Sequence, residues 1–499
     1  MRPLLPLLAC LCFLPPALAH GAGQAAPPPP VSEATQACLE CHNEATPAIV
    51  ADWRRSRMAR KTPAQALQEP EPKRRVSAKN IPARLLNVSV GCAECHTLNP
   101  KTHADTFSHG DHQVHPVVSP QDCALCHPVE RKQYSRNLMA HARGNMTNNP
   151  VYLNLAAQVN GVMQLRGGKL ELAPASPLAK AESCMACHGT EVKVTGMVTR
   201  DDPNFGEMTF PQLSGWPNRG VGRKNPDGSL GSCTACHSRH QFAIEMARSP
   251  YTCSECHKGP DVAVYKVYQV SKHGNIQQAM SKQWNMAKVP WTPGKDFTAP
   301  TCAACHVSLL TDPAGNEIAR RTHQMTDRLW VRLLGLIYAH PMPRDPQTWK
   351  IKNANGLNLA TTLAGEPASK FLISPQEQAQ RKARMAKVCG SCHSQGWVQG
   401  QFARLEQSIK DSDAMVMAAT RLMQRAWDQG LAKGLAQGGS PFNEYIERVW
   451  VEQWLFYANS TRFASAMMGP DMGVFDQGRW DMAKTVERMR DWLRLHQKK

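Results

Sequence analysis

The sequence predicts a mainly α protein, with short helices and loops over most of the chain and a bundle of long helices at its C-terminal end. Three observations point there. From Ala37 to about Leu310 the 499-residue chain is punctuated by Gly, Pro and Asn and has few long periodic runs, so helices should be short and β structure sparse. Aromatic residues make up only 6% of the composition while prolines number 37, a poor basis for a large side-chain core. Beyond Pro375, apolar residues recur at spacings of three and four over long stretches, as in amphipathic helices.

Taken in order, the chain opens with Arg2, an apolar run from Leu4 to Leu18, and Ala17-Leu18-Ala19 before His20. This pattern reads as a secretory signal peptide, 1–19, cleaved after Ala19. Leu8-Ala9-Cys10 resembles a lipoprotein site, but too little hydrophobic sequence precedes it. Residues 20–36, with Pro27 to Pro30, form an Ala- and Pro-rich extended leader. No later apolar run is long enough to span a membrane, so the mature chain is expected in the periplasm with no transmembrane span.

One unit then repeats. Cys-x-x-Cys-His occurs eight times, as Cys38/Cys41/His42, Cys92/Cys95/His96, Cys123/Cys126/His127, Cys184/Cys187/His188, Cys233/Cys236/His237, Cys253/Cys256/His257, Cys302/Cys305/His306 and Cys389/Cys392/His393. The two thiols of such a unit can form thioethers to the vinyl groups of a haem, and the adjoining histidine becomes the proximal iron ligand. Zinc also uses Cys-x-x-Cys but requires no histidine directly after it. The repeated adjacency therefore predicts eight covalently attached c-type haems. Of the 18 cysteines only Cys10 and Cys12, both in the leader, lie outside these units, so no thiol remains for disulfides.

These units set the domain organisation. Haems one to seven fall in 37–310, a connecting segment covers 311–375, and a C-terminal helical region, 376–499, carries haem eight. The connecting segment has its most apolar run at Leu329 to Tyr338, which suits a linker, a core helix or a lid. In the last region, Gln376 to Val388 leads helically into haem eight. Gln401 to Ala436, Pro441 to Met467 and Gln477 to Gln497 follow as helices, the last with Trp480, Met482, Val486, Met489 and Trp492 on one stripe.

The net charge of +18 would suit nucleic acid or an acidic membrane in another chain. Here the two propionates of each haem nearly cancel it, and no nucleic-acid partner is expected. Of 19 histidines, eight are proximal and His20 and His496 sit at the ends of the mature chain, leaving nine. These are His103, His109, His112, His115, His141, His240, His273, His323 and His340. A haem with two protein ligands relays electrons, whereas one with an open face can bind and transform a small molecule. Nine histidines would close seven haems and leave one open, or close all eight. For the cluster from His103 to His115, a surface or propionate-binding role competes with ligation.

The order and spacing of the units resemble the octahaem hydroxylamine oxidoreductase family. So do Cys233-x-x-Cys236-His237-x-Arg239-His240-x-Phe242 at the fifth unit and Ser271-Lys272-His273-Gly274 after the sixth. The resemblance runs from Cys38 to the C-terminal helices. It implies that the haem on Cys184, Cys187 and His188 is catalytic, that the others form an electron-transfer array, and that subunits assemble as homotrimers. Distal ligation by His240, His273 and, from Met139-Ala140-His141-Ala142, by His141 is implied as well. A small inorganic nitrogen substrate and a redox partner protein or quinol-linked cytochrome complete that picture.

Departures from the family pattern bear on direction. Hydroxylamine-oxidising members carry a C-terminal tyrosine crosslinked to a neighbouring subunit's catalytic haem, yet no tyrosine follows Tyr457 here. Their Asp-His pair after the sixth unit appears as Asp261-Val262, keeping the carboxylate and losing the imidazole. Their Trp-x-x-Ser-x-His-Ala appears as Trp53-Arg54-Arg55-Ser56-Arg57-Met58-Ala59, so either Met58 replaces a distal histidine or the ligand comes from elsewhere. The expected activity is reduction of nitrite, hydroxylamine or both to ammonium, with Asp261 as proton donor or orienter. Hydroxylamine oxidation and a purely electron-transferring cytochrome are the alternatives.

Overall fold

The computed structural model describes residues 28–203, 205–435 and 439–497. The expected signal peptide, residues 20–27 of the leader, Cys10, Cys12 and His20 lie outside the described residues, and the end of the expected leader, from Glu33, is helical rather than extended.

Short helices dominate because the repeated unit is itself one helical turn. Cysteines at i and i+3 and a histidine at i+4 share one face of a helix, so a single turn aims both thiols and the ring the same way. Ala93–His96, Cys184–His188 and Cys302–His306 are such turns. The abundant prolines open helices, where a missing N–H costs nothing, as at Pro47, Pro120, Pro128, Pro150, Pro177 and Pro250. Helix α1 (Glu33–Ala45) carries the first unit and starts at Ser32, whose Oγ accepts from the Thr35 N–H at 3.1 Å. The Ser32 and Thr35 hydroxyls donate to Glu94 at 2.5 and 2.7 Å, tying unit one to unit two.

Strands form five two-stranded antiparallel pairs among the described residues. These are β1 (Phe107–His109) with β2 (His112–Val114), β3 (Val162–Arg166) with β4 (Lys169–Ala173), β5 (Lys193–Asp202) with β6 (Gly206–Ser214), β7 (Leu310–Thr311) with β8 (Glu317–Ala319), and β9 (Val331–Arg332) with β10 (His340–Pro341). The β3–β4 turn is Gly167-Gly168 with φ +55° and +80°, the left-handed pair a tight two-residue hairpin requires.

The C-terminal bundle forms as expected, with shifted bounds. Helix α2 (Val264–Val270), from the haem-rich part, packs on it, and α3 (Pro375–Cys389) leads into unit eight. Helix α4 (Gln395–Asp428) is 34 residues long and buries Leu405, Ser408, Ser412, Val416, Ala419, Met423 and Ala426, one stripe at spacings of three and four. The expected helix from Pro441 to Met467 is in three pieces: α5 (Tyr445–Val451), a π-helical turn (Glu452–Tyr457) and α6 (Ala458–Met467). Helix α7 (Arg479–His496) closes the bundle. On its expected stripe Met482 and Met489 are fully buried, whereas Trp480 is 59% exposed. Leu336, Ile337 and Tyr338 join Val416, Met423, Trp450 and Met482 in this core, whereas Leu329 to Leu334, the first part of the connecting segment's apolar run, lines a cavity, and the run is not helical. Two of the core's buried indoles are paired: Trp427 Nε1 donates to Glu447 at 2.8 Å and Trp450 Nε1 to Thr420 at 3.0 Å. No helix among the described residues is long and apolar enough to cross a membrane.

Candidate functional site

All sixteen motif thiols and all eight motif imidazoles line one connected cavity of about 3810 Å³. A single small-molecule site holds about 300–1,000 Å³, so this space suits several large cofactors. The thiols are free and unpaired in disulfides. Two thiols and a ring on each stretch of wall are the donor set of a c-type haem, and the residues fit that group.

The proximal rings are prepared as neutral ligands, the form that binds a metal. Burial lowers the pKa of His96, His127, His257 and His306, and takes His237 to about 4. Several have Nδ1 held by a neighbour, which leaves Nε2 as the ligand atom. His96 meets the His115 carbonyl at 2.8 Å, His42 the Thr46 hydroxyl at 2.9 Å, His306 the Met325 carbonyl at 3.2 Å and His188 the Ala142 carbonyl at 3.3 Å.

Four proximal rings face a second imidazole. Metal–imidazole bonds are about 2.0–2.1 Å, so rings on opposite sides of one metal stand about 6 Å apart, centre to centre. The centroid distances are 6.1 Å for His42 and His109, 6.4 Å for His96 and His240, 6.5 Å for His237 and His323, and 6.1 Å for His393 and His273. His240 and His273 carry the expected motifs, whereas His109 and His323 had no local signal to single them out. The ring opposite His42 is that of His109, and Met58 also lines the cavity.

The remaining histidines lie elsewhere. His141 is not on the cavity wall, and its Nε2 is 2.8 Å from the Ser135 carbonyl. His103 and His115 are buried off the wall and stacked at 3.7 Å. Burial opposes a charge on His103, but the Asp105 and Asp122 carboxylates, each 3.2 Å from a ring nitrogen, outweigh it and raise the pKa to about 9. His340, also off the wall, is pushed down to about 3 by burial, then by Arg332. His112 lines the cavity on β2. Among the described residues no imidazole faces His127, His188, His257 or His306 at such a distance.

Contacts between units give the array its connectivity. Neighbouring thiols perturb one another at Cys38 and Cys92, Cys123 and Cys233, Cys187 and Cys256, and Cys253 and Cys302. Electrostatic influence links Cys95 to Cys126, Cys236 to Cys253 and Cys305 to Cys389. Together these join units one, two, three, five, six, seven and eight in a line, with unit four branching from unit six. The line ends at His42 and His393, both faced by imidazoles. The branch ends at His188, which is not.

Around His188 the wall carries opposite charges. Burial lowers its pKa first; the Asp261 carboxylate pulls it up and the Arg332 guanidinium pushes it down. Asp261 and Val262, from the loop after unit six, both line the cavity, as do Phe456, Met467 and Met468 from the C-terminal bundle. Tyr457 is turned away, its hydroxyl 3.2 Å from Glu452.

Comparison with known proteins shows similarity to multihaem cytochromes. Residues 227–324 match the family model described as seven times multi-haem cytochrome CxxCH. Over 425 residues the chain is 24% identical to a probable nitrite reductase–hydroxylamine oxidoreductase fusion protein of Kuenenia stuttgartiensis, covering 81% of this chain and 39% of that one. The chain thus spans well under half the length of that curated relative. A solved structure described as a hypothetical multiheme protein superposes with a TM-score of 0.88 at 44% identity, covering 94% of this chain and 96% of the other. A reducing HAO-like protein complex of Kuenenia stuttgartiensis gives 0.61 at 18% identity over 93% and 86%, a likeness of fold.

Proposed function

Because this chain belongs to the multihaem c-type cytochromes and has the fold of their hydroxylamine-oxidoreductase-like members, we propose that it is a periplasmic octahaem cytochrome c reducing nitrite, hydroxylamine or both to ammonium. The reaction centre is the open haem held by Cys184, Cys187 and His188. One observation carries this reading: unit four is the end of the array whose proximal histidine has no opposing imidazole. When bound, the haems would supply electron relay and, at unit four, a coordination position for substrate.

The chain's own residues supply the rest. His188, kept uncharged by burial and held at Nδ1 by the Ala142 carbonyl, would offer Nε2 to the haem iron. Asp261 is the proton donor or orienter on the wall, a role open to a carboxylate but not to the adjoining Val262. The absence of a tyrosine after Tyr457 supports reduction over oxidation, because no side chain remains there for a crosslink to the haem. A homotrimer is part of the proposal. Leu165, Leu170 and Leu178, 71%, 72% and 65% exposed in the stretch of chain that precedes unit four, are apolar surface that subunit contact would cover.

Low-temperature EPR of the purified holoprotein, paired with a reduced-viologen assay, tests the reading. A high-spin ferric signal with nitrite or hydroxylamine consumed and ammonium released is expected. Vigorous hydroxylamine oxidation with negligible reduction would restore the oxidase reading. Uniformly low-spin haem without turnover would leave an electron-transfer cytochrome.

A further inference from the structure

We propose that His103, Asp105 and His115 form a buried structural site for a divalent transition ion of the zinc class, separate from the haem cavity. One ligand atom from each of these side chains lies within 4.8 Å of the other two. Zinc bonds of about 2.0–2.2 Å put neighbouring ligand atoms about 3.4 Å apart around a tetrahedral ion, and His103 Nδ1 stands 3.2 Å from Asp105 Oδ1. None of the three side chains lines the cavity that the haem units share. Asp105 and His115 are fully buried and His103 is 4% exposed, so the cluster is not a chance gathering of surface groups.

The groups around them are those that orient metal ligands. A ligating histidine has its far nitrogen held by a carboxylate or a backbone carbonyl, which turns the near nitrogen to the ion. Both rings have that arrangement: His103 Nε2 is 3.2 Å from Asp122 Oδ2, and His115 Nε2 meets the Leu98 carbonyl at 2.8 Å. His115 Nδ1, on the other side of its ring, is buried without a hydrogen-bond partner among the described residues. Such an orphan costs free energy that an ion removes. Asp105 is held as well, because its Oδ2 accepts from the Val117 N–H at 3.0 Å and leaves Oδ1 for the ion. The two rings stack at 3.7 Å, so closing on one ion takes a turn of His115 about its side-chain bonds.

Donor type and charge select the ion. Two imidazoles and a carboxylate suit zinc and its transition neighbours, whereas calcium and magnesium take oxygen ligands. The side chains of Asp105, Asp122 and Asp227, 0%, 1% and 3% exposed, converge on His103 at 3.2, 3.2 and 3.9 Å. Three buried carboxylates outnumber the single charge that a protonated His103 offers, and a divalent ion offsets them better. The rival occupant is a proton: against burial, Asp105 and Asp122 raise the His103 pKa to about 9, so chelated protein keeps a proton between His103 Nδ1 and Asp105 that the ion displaces. An ion there pins the segment holding β1 and β2, and with it the His109 ring that faces His42, to unit two, whose His96 Nδ1 meets the His115 carbonyl.

The experiment uses holoprotein stripped with EDTA, dialysed against micromolar zinc chloride and analysed for zinc and iron by plasma mass spectrometry. Wild type should hold about one zinc per eight irons, as should His496→Ala, which removes an exposed histidine far along the chain. His115→Ala and Asp105→Asn should lose the zinc, and Asp122→Asn should weaken its binding roughly 10–100-fold, the cost of removing a carboxylate that orients a ligand. X-ray absorption at the zinc edge of wild type should show nitrogen and oxygen neighbours with imidazole scattering. Absence of stoichiometric zinc from wild type would overturn the proposal, and zinc retained by both His115→Ala and Asp105→Asn would make it an adventitious ion only. Should those variants fail to mature, the wild-type absorption spectrum decides: sulfur neighbours, or no imidazole, would overturn the assignment.

Discussion

The side chain of Asn459, in the C-terminal bundle, donates to the backbone carbonyl of Asp261, in the loop after haem unit six, at 3.1 Å. It is fully buried, and its Nδ2 also meets the Leu455 carbonyl at 2.6 Å, in the π-helical turn. A π turn shifts the phase of the residues after it. Here the turn sits directly before the helical turn that carries Asn459 and Arg462 inward.

Replacing Asn459 should therefore act at a distance. Asn459→Ala leaves the Gly335 N–H and part of Arg462 unpaired, costing about 1–3 kcal/mol of stability. It should lower reductive turnover several-fold while haem content stays constant, because the backbone carbonyl of Asp261 loses its anchor. Denaturant titration, a reduced-viologen assay and intact mass check the three effects.

Asp261→Asn keeps the shape and the Asn459 hydrogen bond, which is to the backbone, but removes the ionisable proton. Loss of a general acid should slow turnover by about 10²-fold or more. Reduction driven by a viologen, with nitrite affinity measured alongside, separates this from a binding defect. Unaltered turnover would reduce Asp261 to a solvated loop carboxylate.

Removing a facing imidazole should open an iron. His109→Ala and His323→Ala are each expected to convert one low-spin haem to high-spin, as are His240→Ala and His273→Ala. His141→Ala should produce no such change, because its ring meets a backbone carbonyl off the cavity wall. EPR spin counting reads all five variants.

The buried His103 makes stability depend on alkaline pH. Its folded pKa of about 9 lies above the ordinary 6.5, so the folded state holds a proton that the unfolded chain has released between those values. Its contribution is complete below pH 6.5 and is lost as pH rises through about 9, on the order of 3 kcal/mol in all. Wild type minus His103→Gln, followed by denaturant midpoint from pH 6 to pH 10, should show that decline. A flat difference would mean that His103 is neutral in the fold.

Mature protein should carry eight covalent haems by intact mass, one for each unit on the cavity wall. Denaturing electrophoresis should release single haem-staining subunits, because Tyr457 is bonded to Glu452 away from the cavity and Tyr445 is surface-exposed. Covalent trimers on the gel would assign the crosslink to one of these tyrosines.

What could be read from the sequence was local. A haem attachment unit is five consecutive residues forming one helical turn, so its chemistry needs no fold to be recognised, and all eight units reach the cavity. The long C-terminal helices were equally legible, since a stripe such as Val416, Ala419 and Met423 repeats with the helix period. Their interruption by the π turn at Glu452–Tyr457 was not, because the same apolar pattern continues through it.

Which imidazole faces which was decided by tertiary structure alone. His323 comes to His237, and His109 to His42, across long stretches of chain, and a histidine carries no local sign of the ring it will oppose. Burial and neighbours likewise sorted His103 into an ion-pair cluster and gave Arg328 and Arg462 backbone carbonyls as partners. Covalent attachment is written along the chain, whereas axial closure and free charge depend on what packs opposite, and packing is a property of the folded whole.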